Sequence, residues 1–154
     1  PRECPRRAWQ TGEPGTMNVR PFRETDTDEV IDLWRRCALL RPWNDPHRDI
    51  ERKLAVGREL FLVGEHGDRL VAVAMGGYDG HRGWVNYLAV DPAVRGRGFG
   101  RALMLDLEQR LREAGCPKLN LQVRDDNTGA IAFYQALGYQ VDAVTSLGKR
   151  LVAD

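Results

Sequence analysis

Apolar and polar residues alternate along most of this chain with the periods of helices and strands. Apolar positions three and four residues apart indicate amphipathic helices, and short apolar runs between turn residues indicate strands. In chain order the pattern predicts a strand, two helices, three strands, a helix, a strand, a helix and two last strands, at about residues 18–22, 25–40, 45–56, 60–65, 70–78, 84–90, 98–113, 119–123, 127–137, 139–144 and 147–151. This order is typical of a mixed α/β domain in which antiparallel hairpins lead into a crossover helix.

The junction between the apolar run 84–90 and the long helix has the composition of an anion site. Three glycines and three arginines lie within seven residues, in the order Arg95-Gly96-Arg97-Gly98-Phe99-Gly100-Arg101. Glycines let a ligand approach the backbone closely, and the first N–H groups of a helix have no intrahelical partners. A strand, a glycine turn and a helix start together predict a site for a phosphate group.

Two common nucleotide-binding motifs are excluded at this junction. The dinucleotide motif GxGxxG would use Gly96 and Gly98, but its third glycine falls on Arg101. The nucleotide P-loop needs a lysine and then a serine or threonine, whereas Gly100 is followed by Arg101 and Ala102. The alternatives left by the residues themselves are another phosphate ligand or a plain glycine turn with a solvated basic edge.

The charge balance does not favour a nucleic-acid or membrane partner. The chain has 23 lysines and arginines against 22 acidic residues, and the excess comes from Arg2, Arg6 and Arg7. No apolar run approaches the roughly 20 residues that cross a bilayer. Residues 1–16 are predicted to be a disordered leader or a remnant of cloning, ahead of one domain at 17–154.

The three cysteines are scattered and lack metal-ligand spacing. Such a set argues against a disulfide framework and against a metal site. It favours a cytoplasmic protein, because disulfides belong to oxidising compartments.

Two motifs resemble the GNAT superfamily of N-acetyltransferases. Residues 95–100 match the pattern [Arg/Gln]-x-x-Gly-x-[Gly/Ala], the loop that holds the acyl-CoA pyrophosphate in that superfamily. The preceding residues 87–92 resemble its bulged fourth strand. Residues 127–139 resemble its second motif, in the correct order and at the correct spacing.

The resemblance covers residues 17 to about 151 and implies both a fold and an activity. The implied fold is the GNAT acyl-CoA N-acyltransferase fold, with a mixed central sheet of about six to seven strands and four helices. The implied activity is transfer of the acetyl group of acetyl-CoA to a primary amine, by direct attack in a ternary complex. The alternative is a non-catalytic acyl-CoA-binding regulatory module on the same fold. A narrower resemblance, to the YpeA-type bacterial acetyltransferases, rests on residues 40–46, 76–83 and 146–151.

The resemblance also implies how acetyl-CoA is held. Backbone N–H groups from Gly96 through Arg101 would hold the pyrophosphate, and the backbone after the bulge would hold the pantetheine arm. The expected donor-binding residues are Leu88, Ala89, Val90, Arg95, Gly96, Arg97, Gly98, Phe99, Gly100, Arg101, Asn127 and Tyr134. No metal is expected.

Two groups are expected to act on the thioester. The backbone N–H of Leu88 would polarise the carbonyl, and the Tyr134 phenol would protonate the leaving sulfur. The alternative for Tyr134 is a packing role, since its helix also carries Ile131 and Leu137.

The base that deprotonates the amine is not evident from the sequence. Many members of the superfamily use a glutamate on the fourth strand, where this chain has Asn86 and Tyr87. Asp79, His81 and Asp45 are the candidates, and each is equally explained as a turn-forming residue.

The segment between the first two helices is expected to line the acceptor site through Trp43, Asn44 and Asp45. The alternative is a tight turn in which Trp43 fills a hydrophobic gap. An amine-bearing small molecule, a protein N-terminus and a lysine are all open as acceptors. A homodimer is compatible with the resemblance.

Overall fold

A five-stranded sheet forms the centre of the computed structural model, which describes residues 16–154. The strands are β1 (Asn18–Pro21), β2 (Phe61–His66), β3 (Arg69–Tyr78), β4 (Gly83–Val90) and β5 (Leu119–Leu121). They lie side by side in chain order. Neighbours from β1 to β4 are antiparallel, and β5 pairs parallel to β4.

Within residues 16–154, four α-helices cover the two faces of this sheet. They are α1 (Thr27–Arg36), α2 (Pro46–Val56), α3 (Phe99–Glu113) and α4 (Thr128–Ala136). Asp45 caps α2 with its carboxylate, and Pro46 occupies the first helical turn, as the sequence predicts. Helix α3 is the crossover between β4 and its parallel neighbour β5, a connection that parallel strands require.

Alternation along the strands places the two largest hydrophobic clusters of the described residues on opposite faces of the sheet. On one face, Phe61, Val63 and Val73 pack with α1 and α2. On the other, Leu62, Ala72 and Ala74 pack with α3. Because successive side chains of a strand point to opposite faces, the apolar runs in β2 and β3 supply both cores at once. No helix within residues 16–154 is long and apolar enough to cross a membrane.

The α/β prediction is confirmed, but the number of strands was overestimated. The two strands predicted at 139–144 and 147–151 do not form, so the described sheet has five strands rather than six to seven. Val141, Val144 and Leu147 stay largely exposed, and polar contacts such as Lys118 Nζ to Asp142 at 2.6 Å attach this segment. The alternation of apolar residues predicts strands, but residues 141–151 have no hydrophobic core face to cover. The predicted leader lies outside the described residues, apart from Thr16.

Replacement of Gly76 by alanine is expected to destabilise the protein by about 1–3 kcal/mol, because it overpacks a filled core. A Cβ on Gly76 would lie 2.5 Å from Leu107 Cδ1 and 2.8 Å from the Leu60 carbonyl oxygen. That carbonyl accepts the Gly76 N–H at 2.9 Å, so the backbone cannot retreat without loss of a hydrogen bond. Chemical denaturation measures the free energy of unfolding.

Gly77 is the matched control for this substitution. A Cβ there would meet only Lys53 Nζ, at 3.6 Å. We therefore expect Gly77→Ala to change the free energy of unfolding by less than about 1 kcal/mol. Equal effects at the two positions would contradict a packing role for Gly76.

Candidate functional site

Strand β4 contains a bulge one residue before Leu88. Met75 of β3 faces Asn86, while Val73 faces Ala89, so β4 has one residue more than β3 over this interval. Tyr87 occupies the left-handed region, with φ of 53°. The bulge interrupts the β3–β4 ladder at the point where the Leu88 N–H is expected to act.

The bulge turns Tyr87 toward the face of the sheet that α1 and α2 cover. Its ring stacks on Trp34 of α1 with centroids 4.2 Å apart, and its hydroxyl donates to Asp49 Oδ2 of α2 at 2.6 Å. Burial and the bond to Asp49 raise the pKa of Tyr87 to about 12. The phenol therefore stays protonated at neutral pH.

The segment after β4 forms an open cradle at the start of α3. Gly96 and Gly98 have φ of 79° and 81°, and nothing lies within 4 Å of the Cβ position of either residue. Helix α3 begins at Phe99, and no side chain caps its N-terminus at Gly98. Its first N–H groups therefore point to the loop without intrahelical partners, at the positive end of the helix dipole.

Asp91 anchors the first residues of this loop. Its carboxylate is nearly inaccessible, accepts the Ala93 N–H at 2.9 Å and lies 2.8 Å from Arg36 of α1. Arg69 of β3 is 3.5 Å away. Burial acts to raise the pKa of Asp91, but the Ala93 and Arg36 contacts outweigh it and lower that pKa below its usual value. An ionised Asp91 thus ties the loop to α1 and β3.

Arg95 lies back against the strand instead of projecting over the cradle. Its Nε donates to the Val90 carbonyl at 3.3 Å, and the Cys37 thiol donates to the same carbonyl at 3.3 Å. These two bonds occupy the Val90 carbonyl. Any contact between Val90 and acetyl-CoA must therefore use other atoms of Val90. Arg97 and Arg101 are exposed beside the cradle.

Helix α4 brings Tyr134 toward the same region. A Cβ on Gly100 would lie 3.2 Å from Phe133 and 3.3 Å from Val90, so this glycine lets α3, α4 and β4 approach closely. Tyr134 packs edge-on against Phe133 at 5.1 Å. Burial raises its pKa to about 12. Asn127 caps α4 by accepting the Ala130 N–H at 3.1 Å, as the sequence predicts.

The residues expected around the acceptor lie at two separate places. Trp43 is 52% exposed in the α1–α2 connection, next to Asn44, which accepts a bond from Arg150 at 3.1 Å. Asp45 accepts the His47 N–H at 2.9 Å as the cap of α2. These three residues precede the helix that carries Asp49.

Asp79 lies instead in the β3–β4 turn, at the end of β4 opposite the glycine loop. Leu88 is five residues beyond Gly83, or roughly 15 Å along the strand. Asp79 Oδ1 accepts the His81 and Arg82 N–H groups at 2.7 Å each, and these bonds lower its pKa. Asp79 and His81 thus form the turn, and the structure does not bring them to Leu88.

Sequence reasoning missed the contact between Asp49 and Tyr87. Asp49 looks like an ordinary polar residue of an amphipathic helix, and Tyr87 looks like one residue of an apolar strand. Only one feature of the sequence pointed to this region: β4 has Asn86 and Tyr87 where many members of the superfamily have a glutamate. Within residues 16–154, no group of histidine, cysteine, aspartate or glutamate side chains is arranged to hold a metal ion.

Comparison with known proteins identifies the family. The sequence profile described as the acetyltransferase (GNAT) family matches residues 27–139. The chain belongs to the GNAT family. An acetyltransferase of Yersinia enterocolitica is similar to this GNAT protein, with 54% identity over 138 residues that cover 90% of this chain and 98% of the relative.

Two solved structures show the same fold. Ard1 from Thermoplasma volcanium aligns with a TM-score of 0.71 and 27% identity, over 82% of this chain and 84% of its own. A predicted acetyltransferase from Clostridium acetobutylicum, solved with acetyl-CoA, aligns with a TM-score of 0.66 and 18% identity, over 86% and 96% of the two chains. The central sheet and its helices are therefore those of a GNAT acetyltransferase.

Proposed function

We propose that this GNAT protein transfers the acetyl group of acetyl-CoA to a primary amine, by direct attack in a ternary complex. Family membership and a relative named acetyltransferase support acetyl transfer. The observation that carries the proposal is the arrangement on β4 and α3: a strand bulge at Tyr87, followed by an open glycine cradle and an uncapped helix start. A long anionic thioester can place its reactive end at the bulge and its phosphates at the cradle.

The donor is held mainly by backbone groups in this proposal. N–H groups from Gly96 to Arg101 bind the pyrophosphate, since the open cradle leaves room for its oxygens. The strand after the bulge, Leu88 to Val90, pairs with the pantetheine arm as an added strand would. Asn127 contacts the same arm from the start of α4.

The reaction needs no covalent intermediate on the enzyme. The amine nitrogen attacks the thioester carbon, the Leu88 N–H stabilises the developing oxyanion, and collapse breaks the carbon–sulfur bond. Tyr134 gives its proton to the leaving thiolate, so CoA departs as the thiol, and the proton that the amine nitrogen loses passes through water to restore the phenol. Its raised pKa keeps this phenol protonated over the whole neutral range.

The acceptor approaches from the side of the α1–α2 connection in this proposal. Trp43, Asn44 and Asp45 offer an exposed ring, an amide and a carboxylate there. The amine is carried by a small molecule, a protein N-terminus or a lysine. Asp79 has no part in the proposal, because its low pKa makes it a poor base and the turn holds it far from Leu88.

A thiol-release assay tests the function. Acetyl-CoA is incubated with the protein and a panel of amino acids, polyamines and peptides, and free CoA thiol is measured. We expect release that requires an amine, with the acetylated amine detected by mass spectrometry. If calorimetry shows that acetyl-CoA binds but no amine accelerates release, the non-catalytic acyl-CoA-binding module replaces this proposal.

A further inference from the structure

Tyr87 has a backbone conformation that requires support. Among residues 16–154, Tyr87 and Ala38 alone combine a side chain with a positive φ. The left-handed region costs an L-residue roughly 1–2 kcal/mol, so such a conformation persists only where the surroundings hold it. Ala38 lies just past the end of α1, where helices often end this way, whereas Tyr87 lies within a strand.

Two contacts from different helices hold the Tyr87 side chain. The fully buried Trp34 of α1 stacks on its ring at an interplanar angle of 20°. Asp49 Oδ2 in α2 accepts a hydrogen bond from the Tyr87 hydroxyl at 2.6 Å. The other oxygen of that carboxylate lies 3.5 Å from Arg52. The strained residue is therefore held by stacking against its ring and by a hydrogen bond from its hydroxyl.

The conformation of Tyr87 bears directly on the next peptide group. A peptide bond is planar, so the ψ angle of residue 87 determines where the N–H of Leu88 points. We propose that Tyr87 is a positioning residue, held by Asp49 and Trp34, which keeps the bulge in place and so aims the Leu88 N–H at the thioester carbonyl. This inference rests on the proposed function, in which Leu88 polarises that carbonyl.

Two other roles for the pair fit the structure less well. A purely packing tyrosine would not need the strained backbone, since a regular strand conformation buries a ring equally well. A role as the base that deprotonates the amine conflicts with the raised pKa of Tyr87, which keeps the phenol a hydrogen-bond donor to Asp49.

The test measures carbonyl polarisation directly, by difference infrared spectroscopy of bound acetyl-CoA labelled with ¹³C at the thioester carbonyl. The variants are Tyr87→Phe, Asp49→Ala and Asp49→Asn, and calorimetry gives their acetyl-CoA affinity. In the wild type we expect the carbonyl band at lower frequency than in free acetyl-CoA. Tyr87→Phe and Asp49→Ala should return it toward the free value and lower kcat about 10-fold or more, with KM for acetyl-CoA within about threefold.

Asp49→Asn is the conservative rescue. Its amide oxygen accepts the same hydrogen bond without the charge, so we expect a band and a kcat close to those of the wild type. If Asp49→Asn were as damaging as Asp49→Ala, Asp49 would act through its charge, and the positioning role would be overturned. Unchanged bands in both Tyr87→Phe and Asp49→Ala would also overturn it.

Tyr78→Phe controls for the loss of a phenol hydrogen bond from a strand. The Tyr78 hydroxyl donates to the Gly80 and Gly115 carbonyls at 3.2 and 3.3 Å, away from the bulge. We expect no change in the carbonyl band for this variant. Circular dichroism checks that each variant is folded.

The outcomes separate this inference from the proposed function. If the band of bound acetyl-CoA is shifted and responds to Tyr87→Phe, but no amine-dependent turnover occurs, the inference is supported while the proposed function fails. Absence of acetyl-CoA binding to the wild type would overturn both.

Discussion

Gly98→Ala is expected to weaken acetyl-CoA binding about 30-fold, as measured by calorimetry. Gly98 lies at the start of α3 with φ of 81°, so alanine adds strain of about 1–2 kcal/mol. Its methyl group also enters the open cradle, where it keeps the pyrophosphate away from the first N–H groups of the helix. The strain lowers the stability of the fold, whereas loss of one hydrogen bond to the charged pyrophosphate costs about 2 kcal/mol of binding free energy, which corresponds to a change of about 30-fold.

Gly80→Ala is the matched control, because it introduces the same strain far from the cradle. Gly80 has φ of 89° in the β3–β4 turn, and nothing lies within 4 Å of its Cβ position. We expect both variants to lower the melting temperature by a similar amount, while Gly80→Ala leaves the affinity for acetyl-CoA unchanged. Equal affinities for Gly98→Ala and the wild type would exclude the cradle as the phosphate site.

Tyr134→Phe is expected to lower kcat about 100-fold, with little change in KM for acetyl-CoA. A general acid contributes roughly 100-fold to 10,000-fold, and the smaller value applies because a phenol with pKa of about 12 transfers its proton with little driving force. The ring stays in place against Phe133, so donor binding persists. Steady-state kinetics at saturating amine separate the two parameters.

Tyr139→Phe provides the comparison within the same aromatic group. Tyr139 packs edge-on against Tyr134 at 5.6 Å, but its hydroxyl donates to Glu108 at 2.8 Å. We expect its removal to affect stability and to leave kcat within about twofold. If the two phenylalanine variants reduced kcat equally, disturbed packing would explain the effect and Tyr134 would lose its assigned role.

Most of the fold followed from local sequence patterns. Asp45-Pro46 predicts the start of α2 because a capping carboxylate and a proline act within one turn. Apolar runs predict β2 and β3 because these strands are covered on both faces. The strands predicted after residue 138 were wrong, since an alternating pattern indicates a strand only where a core face is available to it.

Part of the candidate site was also predictable from local sequence patterns. The open turn at Gly96 and Gly98 was predictable because positive φ and close approach depend on the residue itself. Asp49 was not recognised, because its role depends on a tyrosine 38 residues away in the chain. Asp79 was a reasonable base candidate from its residue type, but its position at the far end of β4 is a property of the whole strand.

The glycine loop, the helix caps and the family motifs are determined by the sequence alone, because each depends on residues within one turn or strand of each other. The direction of Tyr87 was decided only by the tertiary structure. Strict alternation along β4 would place Tyr87 on the same face as Val85, whereas the bulge places it with Trp34 and Asp49 on the opposite face. A bulge arises where packing from both faces outweighs the local cost of a strained residue, and no local pattern records that balance.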